Sequence, residues 1–165
     1  MVEYVDLQSP ASREFQTRVF PMLVSRFVRE VKLKVELRLT AFGGDDSERG
    51  RAAAIAAGEQ GRMFDFVQVL LRNQGVRDSG WLDDGMVTDA AASIPGLDVP
   101  RLRKERHSLI VRDDESGYDA NASEDNVLST PTIFVGKTGE TLHRVMLSSP
   151  TDRRAVIAAI LAARR

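Results

Sequence analysis

The chain has 165 residues, of which 28% are charged and 42% hydrophobic, and its formal net charge is −1. This is the make-up of a soluble globular protein long enough to bury a core, and so small a net charge argues against a nucleic acid or another polyanion as the dominant partner. The complete absence of cysteine excludes disulfides, thiolate metal sites and cysteine nucleophiles together.

In chain order, Val2-Glu3-Tyr4-Val5-Asp6-Leu7 is rich in β-forming residues and reads as a buried strand. Met1 abuts it directly with no basic and apolar leader before it, so either the chain is cytosolic or a leader or N-terminal strand lies upstream of this sequence, and the abrupt start at a central strand favours truncation. Ser9-Pro10-Ala11-Ser12 follows, with Ser9 suited to an N-cap and Pro10 to the first helical position, where its missing N–H costs nothing. Phe20, Leu23, Val24, Phe27 and Val28 then recur at helical spacing, with Pro21 expected to kink that helix. Leu33, Val35, Leu37 and Leu39 alternate with polar residues, which predicts a second strand over Leu33–Thr40 with one buried face.

Gly43-Gly44-Asp45-Asp46 lacks the lysine and spacing of a phosphate loop and reads as a turn into a helix capped by Ser47. Helical periodicity continues through Met63–Leu71 and Val87–Ile94, and Asp98 suits the cap of a short helix through Arg106. Gly117 and the Asn, Asp and Ser content blur any period over 110–127, which gains no assignment. Thr132–Val135 and Thr141–Met146 flank Gly136-Lys137-Thr138-Gly139 as a hairpin, and Ser149-Pro150-Thr151-Asp152 starts a final helix. The order is βαβ, a helical insert over about 47–126, then ββα, and it forms one domain over 1–165. No apolar run approaches the about 18–20 residues needed to span a bilayer.

The remaining chemical candidates have plainer readings. His107 and His143 lack ligand-like spacing and are expected at ordinary structural or surface positions, and no metal site is expected. Arg101, Arg103, Lys104 and Arg106 are followed by Asp113, Asp114 and Glu115, the mixture of a solvated face. Asp6 is expected to be hydrated at the strand end, and Trp81 to cover the insert core.

Ser-Pro-Ala-Ser after the first strand, with Ser129-Thr130-Pro131-Thr132 leading into Ile133-Phe134-Val135, resembles the DsbA-like thiol–disulfide oxidoreductase branch of the thioredoxin superfamily. The resemblance runs through essentially the whole chain, with Ser9 and Ser12 at the two cysteine positions of the family's Cys-Pro-x-Cys motif. It implies a thioredoxin-like α/β fold with a helical insert between the second and third strands. It also implies a cis-proline at Pro131 and a catalytic pair of positions at Ser9 and Ser12. Pro10, Ala11, Thr130 and Pro131 would form the substrate-binding surface for an extended peptide or a thiol-containing protein, with no cofactor. The physics of such a site is that a helix N-terminus favours a thiolate, a partner three residues on resolves the mixed disulfide, and the proline loop offers backbone groups to a peptide.

A serine hydroxyl cannot form a disulfide, so dithiol exchange is not expected from this chain. Three readings stay open from the sequence: cysteines replaced by serine in an engineered form, a natural redox-dead peptide-binding member, or an enzyme that uses the serine itself. The last resembles the kappa-class glutathione transferases and related isomerases, where the first serine hydroxyl of a similar motif stabilises the glutathione thiolate. That class usually has an aromatic residue where Ala11 stands. The DsbA-like resemblance implies an extracytoplasmic location; the chain itself carries no signal sequence, which leaves a cytoplasmic one open.

Overall fold

The computed structural model describes residues 1–164. Its centre is a four-stranded sheet built from β1 (Val2–Val5), β2 (Glu36–Leu39), β3 (Thr132–Val135) and β4 (His143–Val145), in the order β2-β1-β3-β4. β1 runs parallel to β2 with Val5 opposite Leu39, and antiparallel to β3 with Tyr4 opposite Thr132. β3 and β4 form the expected hairpin, shorter on the β4 side than the 141–146 pattern suggests. This thioredoxin-like arrangement puts the C-terminal end of β1 beside the start of β3.

Both expected strands at the N-terminal half are shorter than their apolar patterns. β1 stops at Val5 because the Asp6 carboxylate turns back to accept the Gln8 N–H at 2.8 Å, and the Asp6 carbonyl accepts the Ser9 N–H at 3.1 Å. Side-chain capture of a nearby N–H competes with the ladder and ends the strand. In β2 the register with β1 starts at Val2↔Glu36, while Leu33 and Val35 pack into an apolar cluster with Phe27, Ile133 and Ile160. Their alternation is real, but it serves packing outside the ladder.

Helix α1 (Pro10–Arg18) begins at Ser9, and α2 (Phe20–Leu23) carries Pro21 in its first turn. The single stripe expected over this stretch is therefore broken between Arg18 and Phe20, where the proline removes an N–H, and it ends in a π-helical turn at Val24–Val28.

The insert is helical: α3 (Asp45–Gly58), α4 (Met63–Arg72), α5 (Asp84–Ala92), α6 (Val99–Glu105) and α7 (Leu109–Glu124). α3 is not capped by Ser47. Gly44 takes that place with φ of 79°, which glycine adopts without steric cost, while Ser47 lies buried one turn in and donates to Asp6. Asp98 caps α6 as expected. α7 fills the stretch the sequence leaves unassigned, capped by Ser108 and tied to α3 by Arg51, which reaches Glu115 at 3.3 Å and Asp119 at 2.7 Å. α8 (Arg153–Ala163) is capped by Asp152, not by Ser149, because the Asp152 carboxylate reaches the Ala155 N–H.

Two main apolar clusters flank the sheet. Val5, Leu7, Leu37 and Leu39 pack against the insert through Ile55, Phe66, Leu70 and Leu82. Phe15, Val19 and Leu23 pack with Ile133, Val135, Val156 and Ile160. Trp81 is partly buried against the insert core, as expected. Among the described residues, no helix is long and apolar enough to cross a membrane.

Candidate functional site

Where β1 gives way to α1, Ser9 sits at the N-cap with extended backbone, φ −81° and ψ 116°. Its hydroxyl accepts the Ser12 N–H at 3.2 Å and donates to the Thr130 carbonyl at 3.1 Å. The Thr130–Pro131 bond is cis. Thus β1 and β3, paired side by side, bring together two short motifs that are far apart in sequence. Pro10 is exposed, Ala11, Thr130 and Pro131 are half-buried, and Ser12 is buried with its oxygen 3.5 Å from the Asp6 N–H. Ser9, Pro10, Ala11 and Ser12 share the first turn of α1, and Thr130 meets them through the Ser9 hydroxyl.

The backbone beside Pro131 is open. Leu128 is 88% exposed, Ser129 is exposed, and among the described residues the Thr130 N–H has no hydrogen-bond partner. The dipole of α1 gives this corner partial positive character. A thiol placed there would be pushed toward its thiolate, whereas a hydroxyl remains neutral and serves as cap and bridge.

Asp6 is not hydrated, contrary to the expectation from its strand-end position. Its side chain is buried and accepts from Gln8 N–H at 2.8 Å, Gly43 N–H at 2.9 Å and the Ser47 hydroxyl at 2.6 Å. Three donors to one carboxylate offset its desolvation. Gln8 extends the network: its amide donates to the Gly43 carbonyl at 2.5 Å, and its oxygen accepts the Asp78 N–H at 2.7 Å. The turn that carries Ser9 is thereby fastened to the start of the insert.

Glu3 is the other buried acid, with no exposed surface. Burial raises its pKa from 4.5 to about 8, and the Gln16 amide, donating at 2.8 Å, opposes the rise. Gln68 from α4 reaches the carbonyl oxygen of Gln16 at 3.2 Å and its side-chain oxygen as well. The Gln16 and Gln68 amides thus form a neutral chain to a carboxyl whose pKa of about 8 keeps it largely protonated at neutral pH, and among the described residues the second Glu3 oxygen has no hydrogen-bond partner. Gln16 lies one helical turn beyond Ser12 on α1, which places Glu3 beneath the site helix.

Glu3, Gln8 and Gln16 are not among the candidates that the sequence offers. Only Glu3 leaves a signal in the sequence, a carboxylate inside an otherwise apolar strand; the glutamines acquire partners only across the fold. His107 and His143 are exposed. Of the expected solvated face, Arg101, Arg103, Lys104 and Asp113 are exposed, whereas Arg106 is largely covered where it pairs with Asp84, and Glu115 turns inward to the buried Arg51. Among the described residues, no group of three or more histidine or acidic side chains is placed to hold a metal ion.

No protein-family model matches the chain. It is 25% identical over 138 residues to a probable disulfide bond formation protein D of Bacillus cereus, covering 82% of this chain and 64% of that protein. It is 27% identical over 144 residues to disulfide bond formation protein D of Bacillus subtilis, covering 82% of this chain and 62% of that one. The chain thus spans less than two thirds of the length of these relatives. Among solved structures, oxidised BdbD from Bacillus subtilis superposes with a TM-score of 0.84 at 19% identity, over 98% of this chain and 85% of that one. DsbA from Chlamydia trachomatis gives 0.79 at 17% identity, over 99% and 85%. In fold this chain is thioredoxin-like and DsbA-like, and in sequence it is similar to disulfide bond formation protein D of these Bacillus species, with Ser-Pro-Ala-Ser at the start of α1.

Proposed function

We propose that this chain binds extended peptide segments at the surface formed by Ser9, Pro10, Ala11, Thr130 and Pro131, and that it carries out no dithiol exchange. Its partners on this reading are unfolded or thiol-containing proteins, and its location is extracytoplasmic, in keeping with the DsbA-like resemblance. The observation that carries the reading is the juxtaposition of the α1 N-terminus with the Pro131 loop, bridged by the Ser9 hydroxyl at 3.1 Å from the Thr130 carbonyl. Among the described residues the loop's Thr130 N–H has no hydrogen-bond partner, and Leu128 presents an exposed apolar side chain. An extended peptide recognises such a surface through main-chain hydrogen bonds and side-chain contacts on alternate residues.

The glutathione-transferase reading finds less support. The Ser9 hydroxyl proton is directed at the Thr130 carbonyl, so it would have to leave that acceptor before it could stabilise a thiolate.

The test is a titration of the full chain with an unfolded, reduced model peptide, followed by amide chemical shifts. Saturable shifts confined to residues 9–12 and 128–132 are expected, and Thr130→Arg should abolish them by filling the loop face. Shifts that are absent, or that fall elsewhere, would overturn the proposal.

A further inference from the structure

Residues 73–80, which follow α4, cross over the turn that carries Ser9. The Gln74 amide donates to the Leu7 carbonyl at 2.7 Å and to the Ser9 carbonyl at 3.1 Å, so one side chain ties the Leu7–Gln8 peptide unit to the Ser9–Pro10 unit. The Ser9 carbonyl already accepts the first helical bond of α1, from the Arg13 N–H at 3.0 Å. The bond from Gln74 is therefore not needed to satisfy that oxygen; it fixes where the turn lies.

The rest of the crossing segment is also held by polar contacts. Gln8 and Asp78 exchange hydrogen bonds at 2.7 and 3.3 Å, the Gly80 N–H donates to Asp46 at 2.9 Å, and Arg77 donates to the Phe42 carbonyl at 3.1 Å. Val76, the apolar residue at its middle, is 77% exposed and anchors nothing. The segment and the Ser9 turn thus hold each other in place by hydrogen bonds, without a shared core.

We propose that Gln74 is a positioning residue of the Ser9 site, which by holding the Leu7 and Ser9 carbonyls together sets how the first turn of α1 faces the Pro131 loop. This rests on the reading of the Ser9–Pro131 surface as the binding face and names the part of the insert that aligns it.

The experiment measures amide hydrogen exchange on the full chain. The Ser12 N–H bonds the Ser9 hydroxyl at 3.2 Å and reports the geometry of the turn. In Gln74→Met, which keeps the side-chain length and loses the donors, Ser12 exchange is expected to rise about tenfold. Leu70 and Leu71 in α4 should keep their wild-type rates. Gln60→Met is the control: it removes a comparable pair of bonds, to the Asp98 carbonyl at 3.2 Å and from the Asp98 N–H at 2.9 Å, and should leave Ser12 unchanged. An unchanged Ser12 rate in Gln74→Met overturns the proposal, and so does a uniform rise across α1 and α4, which would mark a purely structural role. Peptide titration run alongside should show about tenfold weaker binding in Gln74→Met. A wild-type chain that binds no peptide overturns the binding reading, and the Ser12 comparison still decides the positioning role by itself.

Discussion

Ser9 and Thr130 are 121 residues apart, yet the hydroxyl of one donates to the carbonyl of the other at 3.1 Å while accepting the Ser12 N–H. One oxygen therefore caps α1 and ties it to the loop before β3. Ser9→Ala removes both bonds, and the expected cost is about 1–2 kcal/mol, the upper part of the range for losing an N-cap. Urea denaturation measures it, and a change within error would mean that the bridge contributes nothing to the fold.

Restoring thiols tests the lineage from the side of chemistry. In the Ser9→Cys, Ser12→Cys double variant, the thiol at position 9 faces the N-terminus of α1 and should ionise below the ordinary value of about 8.5. Residues three apart on one helical turn are about 5 Å apart at Cα, inside the about 4.4–6.8 Å that a disulfide bridges. The variant should form an internal disulfide and exchange with a model dithiol, whereas the serine chain does neither. Ala11 adds no positive charge to the motif, so the pKa shift should be moderate. Iodoacetamide reactivity against pH reads it, and an ordinary thiol pKa without an internal disulfide would reduce Ser9–Ser12 to a helix cap.

The buried Asp6 carboxylate offers a prediction about stability. Asp6→Ala leaves the donors of Gln8, Gly43 and Ser47 without their acceptor in a buried site, and should cost about 3 kcal/mol or more. Asp6→Asn keeps one oxygen and should cost less. Denaturant midpoints for the two variants give the comparison, and equal losses would contradict the network.

Glu3 should make stability depend on pH. Burial holds its folded pKa near 8 against 4.5 when solvated, so between those values the folded chain keeps a proton that the unfolded chain has released. Stability then falls as pH rises from about 4.5 through about 8, and its contribution is fully present only below that window. Glu3→Gln removes the titrating group and should flatten the profile, gaining stability relative to wild type at alkaline pH. Denaturation midpoints from about pH 5 to about pH 9 show this, and parallel profiles for the two proteins would contradict it.

Glutathione separates the remaining enzymatic reading. Calorimetric titration should give no saturable heat, because the Ser9 hydroxyl proton is held by Thr130. Saturable binding that Ser9→Ala weakens would reverse the ranking of the two readings.

Much of this fold is legible in the sequence because its signals are local. The Ser9-Pro10 cap, the period of α4, the break at Pro21, the Asp98 cap and the β3–β4 hairpin each follow from neighbouring residues and their backbone preferences. The two halves of the site, Ser-Pro-Ala-Ser and Ser-Thr-Pro-Thr, are legible as motifs too. Their meeting is not, because it depends on β1 pairing with β3 across more than a hundred residues.

The tertiary structure alone decided the fate of the polar residues beneath the site. In the sequence Asp6 reads as a strand end and Ser47 as a cap, while Glu3, Gln8 and Gln74 carry no reading of their own. Each was given its place by a partner from a distant element, since a buried polar group must find its hydrogen bond wherever the fold brings one. The same holds for α7, whose blurred period becomes a helix once Arg51 from α3 pairs with Glu115 and Asp119. The sequence determined that the chain has no cysteine, which excludes a disulfide of its own. How Ser9 and Ser12 are oriented and braced was left to contacts that no local pattern encodes.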